Sequence, residues 1–211
     1  EPSSLLEKLQ QVETSRGAKT VIVTDGVFSM DGEIAKLTEV IRHAKATNSL
    51  VMVDECHGTG VVGRSGQGAC EETNTLADID IITSTLGKAL GGGIGGFVTG
   101  SGKHIDQLRK TSHNYLHSVS LPIHAIAAYR EALRILKEEP SRLVHLRANV
   151  KSFRSQMIDL GFTILGNERT AICPVLLKDA KVSKQFADLM IKKGIYVVSF
   201  SYPVVPNDLA R

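Results

Sequence analysis

Lys88 ends an apolar run, Ser84-Thr85-Leu86-Gly87-Lys88-Ala89-Leu90. A lysine among small and apolar neighbours has its charged form disfavoured by desolvation, which frees the amine to form a Schiff base. The competing reading is a solvated loop charge, the usual state of a lysine just after a strand. A second group of reactive types lies in Val51-Met-Val-Asp54-Glu55-Cys56-His57-Gly58. An acid at the carboxyl end of an apolar strand stands where α/β sheets hold their ligands. In an unbroken strand Asp54 and His57 point to opposite faces, so joint action on one ligand requires the strand to end near Glu55. Gly58 and Gly60 permit that turn. The alternative is an aspartate capping a turn beside a loop histidine. A metal site at Asp54, Glu55 and His57 lacks further ligands at a usual spacing.

Thr85 and the glycine run from Gly91 to Gly96, broken only by Ile94, could bring a hydroxyl and bare backbone to a phosphate, or could simply be a flexible turn. Gly58-Thr-Gly60-Val-Val-Gly63 matches a dinucleotide fingerprint. That motif needs a helix opening at its last glycine, and Arg64-Ser65-Gly66-Gln67-Gly68 is a poor helix start.

The elements that must position these residues read as βαβ units. Leu5, Leu6, Leu9 and Val12 have helical spacing; Thr20–Thr24 is a short strand; Ile34, Leu37, Val40, Ile41 and Ala44 share a helix face. Strands follow at Leu50–Val53, Ile79–Thr83 and Phe97–Thr99. Alternating strands and helices imply a mostly parallel sheet, and the unbroken apolar character of Val51–Val53 and Ile81–Ile82 fits strands buried on both faces. Leu121-Pro122 starts a helix running to Leu136, and a second helix, Arg142 to Leu160, stops at Gly161. Beyond it come strands at Phe162–Leu165 and Ala171–Leu177, a helix Ser183–Lys193 ending at Gly194, and a strand Ile195–Phe200. The α/β chain thus divides near residue 140 into a larger part, 1–140, and a smaller one, 141–211.

With 42% hydrophobic and 22% charged residues, the 211-residue chain can build one sizeable core or one and a half domains. A net charge of +3 without a basic block shows no nucleic-acid footprint, and no run is apolar enough to cross a bilayer. Cys56, Cys70 and Cys173 have no CxxC spacing, and an odd number cannot all pair, which fits a reducing compartment.

Together, Asp25-Gly-Val-Phe-Ser29-Met-Asp31-Gly32, Val53-Asp54-Glu55-Cys56-His57 and Thr85-Leu-Gly-Lys88-Ala-Leu-Gly-Gly resemble the α-oxoamine synthases, fold-type I enzymes that use pyridoxal 5'-phosphate. The likeness covers essentially the whole chain, and it implies part of the large cofactor-binding domain followed by part of a small C-terminal α/β domain. It implies that Lys88 holds the cofactor and moves the α-proton of glycine, that Asp54 pairs with the pyridine nitrogen, and that His57 contacts the ring's phenolic oxygen. Ser29 is expected beside the ring and Thr85 near the phosphate. Tyr115-Leu-His-Ser118-Val-Ser120 resembles the segment whose hydroxyl reaches the phosphate of the neighbouring subunit of a homodimer, making Ser118 the first candidate and Ser120 the second. His117 departs from the phenylalanine common there. Tyr202-Pro-Val-Val-Pro206 and the Lys88 segment favour the branch that condenses glycine with acetyl-CoA to 2-amino-3-oxobutanoate, with the reverse cleavage serving threonine catabolism. The alternatives are the 5-aminolevulinate and 8-amino-7-oxononanoate branches, or a non-catalytic fragment. Family members extend on both sides of this chain, which implies an incomplete site here, with Arg211 just short of the carboxylate-binding arginine. They are mitochondrial in animals and cytoplasmic in bacteria.

Overall fold

The computed structural model describes residues 2–11, 19–91 and 93–211. Its elements are α1 (Pro2–Gln11), β1 (Val21–Asp25), β2 (Val27–Phe28), β3 (Glu33–Ile34), α2 (Leu37–Ala46), β4 (Leu50–Asp54), α3 (Ala69–Glu72), β5 (Ile81–Thr85), β6 (Gly96–Gly100), α4 (Gly102–Thr111), α5 (His113–Leu116), α6 (Ile123–Glu138), α7 (Ser141–Asp159), β7 (Thr163–Ile164), β8 (Val175–Leu176) and α8 (Ala180–Lys192). Val12 and Gly92, which the sequence reading placed in a helix and a glycine run, lie outside the described residues. Two compact units emerge, Glu1–Phe28 with Ile34–Leu146, and Ser29–Glu33 with Arg147–Arg211.

The first unit holds a four-stranded sheet in the order β1-β4-β5-β6, with β1, β4 and β5 parallel and β6 antiparallel to β5. Strand β4 is central, and its alternate residues Val51 and Val53 are fully buried. Leu37, Val40, Ile41 and Ala44 of α2 supply the matching apolar stripe at helical spacing. The expectation of strands buried on both faces fails. Met52, Ile81 and Ile82 are half-buried and Val23 is 63% exposed. Ile34 starts no helix, since it pairs in the short β2–β3 hairpin.

In the second unit β7 and β8 form an antiparallel pair, and α8 opens with Asp179, whose side chain accepts the Val182 N–H at 2.9 Å. Phe162 and Phe186 meet edge to face with ring centroids 6.0 Å apart. Arg154, almost wholly buried, donates to the carbonyls of Leu165, Asn167 and Ile172 at 2.9, 3.2 and 3.3 Å, tying the loop between the two strands to α7. The expected strand at Ile195–Phe200 does not form a ladder: Tyr196 and Val198 are exposed, and only Phe200 exchanges backbone hydrogen bonds with an extended neighbour, Arg211, at 2.9 and 3.0 Å. An apolar run becomes a strand only where another strand lies beside it, and none does among the described residues.

Candidate active site

Strand β4 ends at Asp54, and the chain turns at once: the N–H groups of Gly58 and Thr59 both donate to the Glu55 carbonyl, at 3.0 and 2.8 Å. The condition for Asp54 and His57 to serve one ligand is therefore met. Asp54 lies opposite Thr83 of β5, whose hydroxyl donates to Oδ2 at 2.9 Å, while the Cys56 N–H donates to Oδ1 at 2.8 Å. Burial opposes the charge on Asp54, but hydrogen bonds from the Cys56 thiol and backbone and from Thr83, with the nearby charge of Lys88, outweigh it and hold the carboxyl below its ordinary value. The same surroundings push the Cys56 thiol up to about 11, through burial first and then the Asp54 carboxylate.

Lys88 sits in the turn after β5, and its Nζ lies 3.0 Å from Nε2 of His57. Burial and then the Lys88 charge lower the His57 value, so the imidazole is favoured neutral and can accept from the ammonium. Leu86 and Leu90, on either side of Lys88, pack with Tyr129 of α6 into a buried cluster, and the Tyr129 hydroxyl donates to the Ile94 carbonyl at 2.9 Å. The expectation of a desolvated lysine is corrected here: the leucines occupy the buried positions of the turn, and Lys88 itself is exposed. Thr85 organises the same turn, accepting the Gly87 N–H at 3.0 Å and donating to the Gly95 carbonyl at 3.3 Å.

Asp54, His57, Thr85 and Lys88 are thus carried by the carboxyl ends of two neighbouring parallel strands. Ser118 and Ser120 are exposed in the turn after α5, and no hydrogen bond among the described residues joins either to Lys88. Ser29 belongs to the second unit, where with Met30, Phe153, Phe186, Val197 and Phe200 it lines an apolar cavity of about 290 Å³. Arg211 lines the same cavity, and its guanidinium is committed to Asp31 Oδ1 at 2.6 Å and the Met30 carbonyl at 3.0 Å. No group of metal-ligating residues assembles among the described residues. The dinucleotide motif also fails structurally, since Gly63 opens a turn and the next helix begins only at Ala69.

Sequence reasoning weighed Glu55 only as a metal ligand beside Asp54 and His57 and missed its buried place. It is fully buried, and its carboxylate accepts the N–H groups of Ala69 and Cys70 at 3.0 and 2.7 Å. The signal was present: Val51, Val53 and Glu55 stand two apart and so share the buried face of β4.

The model of the family described as aminotransferase class I and II matches residues 3–210. The mitochondrial 2-amino-3-ketobutyrate coenzyme A ligase of Mus musculus is 44% identical over 209 residues, 99% of this chain and 50% of that one. The chain therefore spans about half the length of the curated relatives it matches. Serine palmitoyltransferase of Sphingomonas wittichii superposes with a TM-score of 0.92 at 27% identity, over 100% of this chain and 52% of that chain. A serine palmitoyltransferase solved with its pyridoxal phosphate internal aldimine matches equally well, with a TM-score of 0.92 at 26% identity over 100% of this chain and 52% of its own. With its mixed sheet and the pair of strand ends that carry Asp54 and Lys88, the chain belongs to the class I and II aminotransferase family and has the fold of the fold-type I enzymes that use pyridoxal phosphate.

Proposed function

We propose that the chain is part of a pyridoxal-phosphate-dependent acyltransferase that joins glycine to acetyl-CoA, giving 2-amino-3-oxobutanoate and CoA, and catalyses the reverse cleavage. The observation that carries this reading is the 3.0 Å approach of Lys88 Nζ to His57 Nε2 beside a carboxylate, Asp54, that its neighbours keep ionised. The donor set fits the cofactor: an accessible primary amine, an acid suited to a protonated ring nitrogen, and a neutral imidazole suited to a phenolic oxygen. Bound pyridoxal phosphate supplies the electron sink that makes the α-carbon of glycine acidic.

The rest falls to the chain's own residues. Lys88 would hold the cofactor through its amine, and that amine, freed when the amino group of glycine takes its place, would take the proton from the glycine α-carbon. Asp54 holds a proton at the ring nitrogen, and His57 keeps the Lys88 amine oriented between proton transfers. A carbon–carbon bond forms between the glycine α-carbon and the acetyl carbonyl, the carbon–sulfur bond breaks, and CoA leaves as the thiol. Thr85 completes the cofactor's surroundings on the first unit, and Ser118 serves the site of the second subunit of a homodimer. The first unit is then part of the large cofactor-binding domain and the second part of the small domain. The acetyl-CoA branch is favoured over its siblings by the identity to the Mus musculus ligase, and that relative's mitochondrial setting extends to this protein if its source is eukaryotic.

The test uses the full-length protein. Reconstitution with pyridoxal phosphate is expected to give a visible absorbance band, and borohydride followed by peptide mapping is expected to leave the cofactor on Lys88. A band that survives Lys88→Ala sinks the assignment. Turnover of glycine with acetyl-CoA above that with succinyl-CoA or longer acyl-CoAs is expected, and the opposite order moves the chain to another branch.

A further inference from the structure

Glu55 stands between Asp54 and His57 but points away from both, into the buried face of the first unit. Its carboxylate is enclosed by backbone. It accepts the Ala69 and Cys70 N–H groups at 3.0 and 2.7 Å, and three glycines pack against it. A Cβ on Gly26 would come within 2.8 Å of Oε2, and one on Gly58 or on Gly68, whose φ is +94°, would overlap the carboxylate outright. The main chain of Glu55 is equally committed. Its N–H donates to the Thr83 carbonyl at 2.7 Å, and its carbonyl accepts from Gly58, Thr59 and the Ser84 hydroxyl. Ser84 in turn donates to the Thr59 hydroxyl at 2.7 Å.

One residue thus fastens both ends of the loop from Cys56 to Cys70 and ties its start to the strand that leads to Lys88. A charged or hydrogen-bonding carboxyl in a dry interior costs free energy unless it is satisfied, and here two oxygens meet two N–H donors. Burial outweighs the hydrogen bonds from Cys70 and Ala69 and raises its pKa.

We propose that Glu55 is a positioning residue: its buried carboxylate locks the Cys56–Cys70 loop and thereby sets the place of His57 against Lys88. Asp54 and His57 flank the lock by one and two residues, so a loop released at Ala69 and Cys70 lets the His57 ring leave the 3.0 Å contact with Nζ. The inference deepens the proposed cofactor site and depends on it for its functional meaning, while the lock itself does not.

Two measurements on the full-length protein separate these. In the cofactor-free protein, Cys70 is fully buried, and its labelling by a thiol reagent, followed by mass mapping of its peptide, reports opening of the loop. Glu55→Gln keeps the volume but turns an N–H toward one of the two donors, and Gly58→Ala pushes the carboxylate aside from the other direction. Both are expected to label Cys70 about tenfold faster or more than wild type, as local opening does when a buried acceptor is lost. In the reconstituted protein both are expected to weaken the visible circular dichroism of the bound cofactor by about half or more, a signature of ring orientation that a loss of global stability alone does not move. Labelling at the wild-type rate in both variants overturns the lock. Fast labelling with unchanged dichroism overturns the positioning role. If Glu55→Gln does not fold, Gly58→Ala alone decides. A wild-type protein that takes up no pyridoxal phosphate sinks the proposed function, and Cys70 labelling still decides on the lock.

Discussion

Asp54 and His57 differ in the sign of their ionised forms yet respond to pH in the same direction. Both are held below their ordinary values of 3.8 and 6.5, so the folded protein binds fewer protons than the unfolded chain between each pair of values. Stability from both groups is in place above the ordinary values and is lost as pH falls through the folded ones. Glu55 works oppositely, because its raised value makes the folded state bind the extra proton, so its contribution weakens as pH rises above its ordinary value of 4.5. Acidification from pH 7 to 5 is therefore expected to lower the melting temperature mainly through His57, and His57→Gln to flatten that decline. Equal slopes in the two proteins remove His57 as the source. The turn that brings Asp54 and His57 to one strand end was legible because Gly58 and Gly60 follow directly after the apolar run. The exposure of Lys88 was not, since which members of an apolar turn face inward depends on Tyr129 of α6, beyond two intervening helices in the chain.

The elements that declared themselves in the sequence are those with a long period. Helix α2 buries Leu37 completely, so Leu37→Ala is expected to cost about 2–5 kcal/mol in denaturant unfolding. An Asp179→Ala change at the N-cap of α8 is expected to cost about 1 kcal/mol. A Leu37→Ala protein within a few tenths of wild type means that α2 carries no core. Helix α4 escaped notice because Ile105 and Leu108 are its only apolar side chains, too few for a periodic signal, although Ser101 caps it by accepting the His104 N–H at 3.3 Å. The β2–β3 hairpin is two residues a side, below any period. Ile195–Phe200 erred the other way: its composition is that of a strand, but pairing is a tertiary fact.

For the whole molecule, the apolar surface of the first unit around Ser118 is the feature that bears on assembly. Val119 is 97% and Ile123 84% exposed, with Tyr115 and Leu116 beside them. Exposed apolar side chains this near in the chain to Ser118, the serine proposed for a second subunit's site, fit an interface between copies. Ile123→Lys in the full-length protein is expected to shift sedimentation from dimer toward monomer; a variant that stays dimeric places the interface elsewhere. The sheet has a further consequence in time. Its parallel pairings join Val21 to Leu50 and Met52 to Ile81, whereas its antiparallel pairing joins Thr85 to Gly96, a far shorter loop to close. During folding the β5–β6 hairpin can form first and carry Lys88 into its turn, while Asp54 and His57 arrive only when the long crossover has closed. The amine is thus in its turn before the β4–β5 pairing brings Asp54 and His57 beside it.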